Sequence, residues 1–339
     1  MMRPLLLMMA SAITISASAQ VNITGAGSTF AAPLYQAWGS DYAKIHPGTQ
    51  INYQSIGSGG GIRQLTSGTV DFGGTDGPMT NGQLYLAQKN LGTDVLHFPV
   101  ALGAVVPIHN IPGVNANLNF TGRALAGIFL GTITRWNDPE LTAANPGVNL
   151  PAHDILVCHR AESSGTTYVW ADFLAKASPE WRAKVGPPSV RPRWPVGIGG
   201  KGNEGVAGFI TQNPYSIGYV ELIYAVQNKM NYGQVQNPSG KFIKADLNSV
   251  TQAATIAMPD DFRVSITNAP GPGAYPVSSF TWIIIPRNPK DKTKAAAIKA
   301  FLTWGITQGQ RDAQNLSYAP LAKSVVDKEL AALTYLHYE

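Results

Sequence analysis

Cysteine is almost missing from this 339-residue chain: Cys158 stands alone, so no internal disulfide can form and packing must supply the stability. Charge is scarce too, at 13% of residues, and the net charge of +5 includes no basic run interleaved with aromatics. Nucleic acid is therefore not an expected partner. The histidines (His46, His97, His109, His153, His159, His337) are scattered without metal-ligand spacing, so no metal or cofactor is expected. No serine sits in a Gly-x-Ser-x-Gly turn. Gly25-Ala26-Gly27-Ser28-Thr29-Phe30 lacks the third glycine of a dinucleotide fingerprint, and no Gly-Lys-Ser/Thr makes a P-loop. Asp71-Phe72-Gly73 matches a kinase triplet, but every other kinase element is missing.

No segment beyond the N-terminus approaches a membrane span. Arg3, the run Leu5 to Ala10 and the small residues Ala17-Ser18-Ala19 predict a cleaved signal peptide over 1–19, hence an exported, soluble protein in the periplasm. No cysteine follows the cut, which argues against a lipoprotein.

Glycine (35) and proline (24) are plentiful and predict many tight turns in an ordered chain. Val21-Asn22-Ile23 reads as a strand, followed by a helix starting near Ser28 or Thr29 with Pro33 in its first turn. Ile51 to Ile56 alternates like a strand, Gly57 to Gly61 reads as a turn, and Ile62 begins a helix. Val70 to Gly74 reads as a buried strand ending at Thr75-Asp76. Strands alternating with helices predict an α/β fold with ligands at the strand carboxyl ends. From Val95 the chain is apolar and extended. A Pro-Gly linker near 270–273 precedes the strand Thr281 to Ile285 and two helices, from about Lys292 and Leu321. This predicts a discontinuous lobe I (20–95 plus 270–339), a lobe II (96–269) and two hinge crossings. Cys158 and Trp136, Trp170, Trp194, Trp282 and Trp304 read as core.

The chemistry concentrates in Arg160-Ala161-Glu162-Ser163-Ser164-Gly165-Thr166, between the strand Ile155 to Cys158 and a helix-like stretch from Tyr168. A helix start offers backbone N–H groups without internal partners and the positive end of the dipole. An arginine fork beside it suits a tetrahedral oxyanion. Two other segments repeat the design of strand, small turn, helix: Ser28-Thr29-Phe30 and Ser58-Gly59-Gly60-Gly61. Each alone reads more readily as plain helix capping, and it is the three together, with the arginine in one, that point to an anion. Asp76 is either a turn cap before Gly77-Pro78 or an acceptor for a proton-bearing anion, which would favour phosphate over sulfate. Glu162 is either a brace for Arg160 or a solvated turn residue.

Six segments together (Thr24 to Phe30, Tyr53 to Gly60, Val70 to Pro78, Arg160 to Thr166, Gly199 to Gly205 and Ile217 to Glu221) closely resemble the periplasmic phosphate-binding proteins, the substrate-binding subunits of the ATP-driven phosphate transporter. The resemblance implies a two-lobed type II periplasmic-binding-protein fold. It places phosphate contacts on Thr29, Phe30, Ser58, Asp76, Arg160, Ser164, Gly165 and Thr166, with Ser28, Thr75, Glu162 and Ser163 in support. Glu162 stands where relatives commonly carry Asp, and Ser163 where glycine is frequent. Implied partners are inorganic phosphate and an inner-membrane ABC permease with its ATPase, the protein itself being a monomer and not an enzyme. The alternatives are a secreted phosphatase or a binder of another oxyanion, arsenate or sulfate.

Overall fold

A computed structural model describes residues 20–336, so the expected signal peptide over 1–19 and His337 lie outside the described residues. Strands and helices alternate from the start: β1 (Val21–Gly27), α1 (Ala32–Ile45), β2 (Thr49–Ser55), α2 (Ser58–Thr66), β3 (Phe72–Thr75) and α3 (Asn81–Leu91). β4 (Val95–Asn110) follows, buried along nearly its whole length. Then come β5 (Asn119–Phe120), α4 (Gly122–Leu130), α5 (Pro139–Ala144), β6 (Leu156–Arg160), α6 (Gly165–Ala177) and α7 (Pro179–Lys184). They lead to β7 (Ile198–Gly200), α8 (Gly202–Gln212), β8 (Ser216–Glu221), α9 (Leu222–Gln227), β9 (Gln234–Gln236), β10 (Phe242–Ile243) and α10 (Leu247–Ala253). The chain returns through β11 (Ser278–Pro286), α11 (Lys292–Ile306), α12 (Gln310–Asn315) and α13 (Lys323–Ala332).

Among the described residues the main sheet runs β2-β1-β3-β11-β4-β8-β6-β7. β4 joins its two halves. Val95 to Ala104 pair antiparallel with β11, and Val105 to Asn110 pair antiparallel with β8. The exchange of partners at Ala104/Val105 lies beyond the 95/96 boundary expected from sequence. A strand buried throughout shows no step in composition where its neighbour changes. The return path also weaves. Trp282 Nε1 donates to Phe262 O at 2.8 Å beside the first half, while Thr267 Oγ1 donates to Asp172 Oδ2 of α6 at 2.6 Å in the second.

Two helix starts differ from expectation. α1 begins at Ala32, because Ser28 N donates to Gly74 O and Ser28 Oγ receives Ala31 N, which together hold 28–31 in a bend. α2 begins at Ser58, so of the expected turn only Gly57 stays outside as the N-cap, and Gly59, Gly60 and Gly61 lie inside the helix. They serve close approach: a Cβ on Gly61 would sit 2.6 Å from Gly27 Cα, and one on Gly59 would strike the Ser163 side chain. At the C-terminus, α12 intervenes between the two expected helices.

Trp136, Trp170 and Trp282 are fully buried, as are Trp38 and Trp181. Trp194 and Trp304, expected in the core, are only half-buried. Trp194 instead stacks on His159, with ring centroids 4.8 Å apart. Burying a side chain of this size is worth about 2–3 kcal/mol in transfer terms, so the aromatic core is the main substitute for crosslinks. Cys158 is buried and free, and burial pushes its thiol up to about 12, so the thiolate nucleophile is suppressed. Among the described residues no helix is long and apolar enough to cross a membrane.

Candidate functional site

The carboxyl ends of β1, β3 and β6 meet where the two half-sheets face each other, and α1, α2 and α6 start there. Neither α1 nor α2 has a side-chain cap on its first turn; Gly59, Gly60 and Gly61 of α2 already donate to Ser163 O and Gly57 O, which leaves Ser58 N and the dipole ends to face an anion. α6 is capped by Ser164, whose Oγ accepts Thr167 N at 3.1 Å.

Asp76 is the centre. It follows β3 and has no exposed surface. Its Oδ1 accepts Ser28 Oγ at 2.5 Å and Thr281 Oγ1 at 2.8 Å, and its Oδ2 accepts Ser58 Oγ at 3.3 Å. Burial pushes the carboxyl up to about 6. The hydrogen bonds from Ser28 and Thr281, the charge of Arg160 and the Ser58 bond keep it from rising further. The turn after Asp76 is held by Thr75, whose Oγ1 donates to Gly77 O at 2.6 Å.

From the other half-sheet, Arg160 ends β6 with a fully buried side chain. Its Nε donates to Glu162 Oε1 at 3.1 Å and its Nη2 to the same oxygen, while Nη1 is buried with no hydrogen-bond partner among the described residues. Tyr219 hydroxyl accepts Arg160 N at 3.2 Å and anchors the backbone. Burial alone would raise the Glu162 carboxyl. The hydrogen bond and charge of Arg160 outweigh it, together with Gly202 N at 3.1 Å, and hold it below the usual range. Glu162 is thus a brace on the guanidinium rather than a solvated turn residue.

The halves touch directly. A Cβ on Gly165, the first residue of α6, would strike Asp76 Oδ2 and Ser58 Oγ and lie 2.8 Å from Asp76 N. Gly59 N donates to Ser163 O at 3.1 Å across the same gap. Thr29 and Thr166 are bridged by Asn203, which donates to Thr29 Oγ1 at 2.7 Å and Thr166 Oγ1 at 3.2 Å. Phe30 is buried, and its carbonyl accepts Tyr318 hydroxyl at 2.6 Å. The twelve residues singled out from sequence therefore belong to one neighbourhood, Thr75 at its margin. Sequence reasoning missed Thr281, Asn203, Tyr219 and Tyr224, the last donating to Thr29 O at 2.6 Å. Thr281 did leave a trace as a hydroxyl residue in the otherwise apolar run Phe280 to Ile285.

Among the described residues no group of three or more His, Cys, Asp or Glu could hold a metal. The site has hydrogen-bond donors, two carboxylates (Asp76, and Glu162 paired with Arg160) and one buried guanidinium, set between halves that a single strand and a return segment connect. That is the construction of a two-lobed substrate-binding protein, and the sequence model of the PBP superfamily domain matches residues 12–308. The phosphate-binding protein PstS of Xylella fastidiosa strain Temecula1 is 44% identical over 310 residues, 90% of this chain and 83% of the relative. That of Pasteurella multocida is 41% identical over 328 residues, 96% of this chain and 93% of the relative. A solved ABC-type phosphate transport receptor from Vibrio cholerae shares the fold, with a TM-score of 0.58 at 19% identity over 88% of this chain and 100% of that one. The chain belongs to the phosphate-binding-protein family of the PBP superfamily.

Proposed function

We propose that this chain binds inorganic orthophosphate and serves as the substrate-binding component of an ABC-type phosphate importer, making and breaking no bond. The observation that carries the reading is the hydrogen-bond inventory of Asp76. A carboxylate has about four lone-pair sites. Oδ1 receives two hydroxyls and Oδ2 one, which leaves one acceptor position, on the oxygen facing Gly165. An acceptor in an anion site welcomes only an anion that brings its own proton. Hydrogen phosphate does; sulfate at neutral pH does not, and would set an unpaired like charge against Asp76.

The remaining oxygens meet donors: the Thr29 and Phe30 turn, Ser58 through its backbone N–H (its hydroxyl proton being committed to Asp76), Arg160 through Nη1, and Ser164, Gly165 and Thr166 at the start of α6. Ser28, Thr75, Glu162 and Ser163 hold these groups in place. Lobe closure about β4 and the return segment buries the ligand, the division falling at Ala104/Val105 on β4. The protein works as a monomer in the periplasm after loss of residues 1–19, and delivers phosphate to an inner-membrane permease driven by its ATPase.

Thermal unfolding with phosphate, arsenate and sulfate side by side tests the reading, since a ligand that binds only the folded state raises the melting temperature. Phosphate and arsenate, both protonated near neutrality, should raise it and sulfate should not. No shift with phosphate would overturn the assignment.

A further inference from the structure

Asn203 uses both ends of its amide. It lies in the first turn of α8 with no exposed surface, and its Oδ1 accepts Glu221 N at 3.0 Å. A backbone N–H can only donate, so that bond settles which end of the amide is oxygen. Nδ2 then faces the cleft, where it donates to Thr29 Oγ1 at 2.7 Å and Thr166 Oγ1 at 3.2 Å. Thr29 follows β1 in the first half-sheet, and Thr166 stands in the first turn of α6 in the second. One NH2 group therefore ties the two halves together across the site.

The bridge also sets proton direction. An amide nitrogen has no lone pair to offer, so neither threonine hydroxyl can return its own proton to Asn203. Both protons are left for an acceptor in the cleft. We propose that Asn203 is a positioning residue for anion capture: it latches the closed lobes and commits the Thr29 and Thr166 hydroxyls as donors to the bound oxyanion. The inference rests on the orthophosphate reading and adds a division of labour to it. The Asn203–threonine face selects unprotonated oxygens, while Asp76 takes the oxygen that carries the proton. None of the six aligned segments reveals this from sequence, because Thr29 and Asn203 are brought together only by the fold.

The test is a cycle of orthophosphate affinities, by titration calorimetry, for the wild type, Asn203→Ala, Thr29→Val and the double variant. Asn203→Ala should weaken binding about 10- to 100-fold, the range for losing a buried hydrogen bond to a charged ligand. In the Thr29→Val background the same change should cost several-fold less, because one hydroxyl it orients is gone. Equal losses in both backgrounds would overturn the inference, since Asn203 would then act through the fold rather than through the threonine. If Asn203→Ala does not fold, Asn203→Asp replaces it. That variant keeps the shape and the acceptor for Glu221 N but turns the threonine protons away from the ligand. A loss of at least about 10-fold with an unliganded melting temperature near the wild type is expected; wild-type affinity would refute the role. A wild type that binds no phosphate would instead remove the orthophosphate reading itself.

Discussion

Asp76 and Gly165 stand so close across the two half-sheets that no side chain fits between them: a Cβ on Gly165 would strike Asp76 Oδ2 and lie 2.8 Å from Asp76 N. The glycine at the start of α6 is there for closure, because its φ is not in the left-handed region. Through this contact Asp76 of one half-sheet is brought against the first residue of α6 in the other.

Gly165→Ala should therefore leave each lobe folded but prevent full closure. Phosphate affinity should fall at least about 100-fold, as expected when a ligand loses the donors of a whole lobe. Small-angle scattering should show no compaction on adding phosphate. Wild-type affinity in this variant would mean that the two halves bind phosphate without meeting here.

The Asp76 carboxyl, raised from 3.8 to about 6 by burial, makes two pH predictions. Its ionisation opposes folding. That penalty is present in full above about pH 6 and is gone below 3.8, so its contribution favours the unliganded protein as pH falls through this window. The size is about 3 kcal/mol at 1.4 kcal/mol per pH unit. Asp76→Asn should melt higher than the wild type at pH 8, with the gap closing by pH 4. Selectivity should follow the same titration. Below about pH 6 a protonated Asp76 can donate to sulfate, so the preference for phosphate should narrow in the wild type and be weak at every pH in Asp76→Asn. Binding isotherms at pH 8 and pH 5 check this.

Arg160 and Glu162 act as a unit. Arg160→Met fills the same space without charge, leaves Glu162 facing the cleft unpaired, and should weaken phosphate binding about 100- to 1000-fold. Glu162→Gln should lower the melting temperature of the unliganded protein at pH 7. Because the Glu162 carboxyl is held below its ordinary value, its contribution is present at neutral pH and lost as pH falls through that depressed value. The difference between Glu162→Gln and wild type should therefore shrink in acid.

Glu329 offers a control away from the site. It lies in α13 with no exposed surface, and among the described residues neither carboxylate oxygen has a hydrogen-bond partner; burial holds its carboxyl well above the usual range. Glu329→Leu should stabilise the protein by about 1–3 kcal/mol at pH 7, the cost of an unsatisfied buried polar group. Phosphate affinity should not change. A lower denaturation midpoint would show that the carboxyl has a partner the protein depends on.

Much of the site was legible from sequence because strand–turn–helix junctions rich in Ser, Thr and Gly are local signals. Ser28, Ser58 and Ser164 each announce themselves within a few residues. Asp76 was visible but ambiguous, since a turn cap and a ligand acceptor look alike until Ser28, Ser58 and Thr281 are seen converging on it. Thr281 and Asn203 escaped because their partners lie far along the chain, and only the antiparallel return of β11 and the packing of α8 bring them in. The exchange of strand partners along β4 escaped for a related reason. β4 stays apolar from one lobe into the next, and only its pairing tells where the first ends.

The most direct measurement is calorimetric titration of the purified chain, at pH 8, with orthophosphate and with sulfate. The account predicts saturable one-to-one binding of orthophosphate and no heat of binding from sulfate at the same concentration. Equal affinity for the two anions would contradict the role assigned to Asp76, and no binding of either would contradict the site.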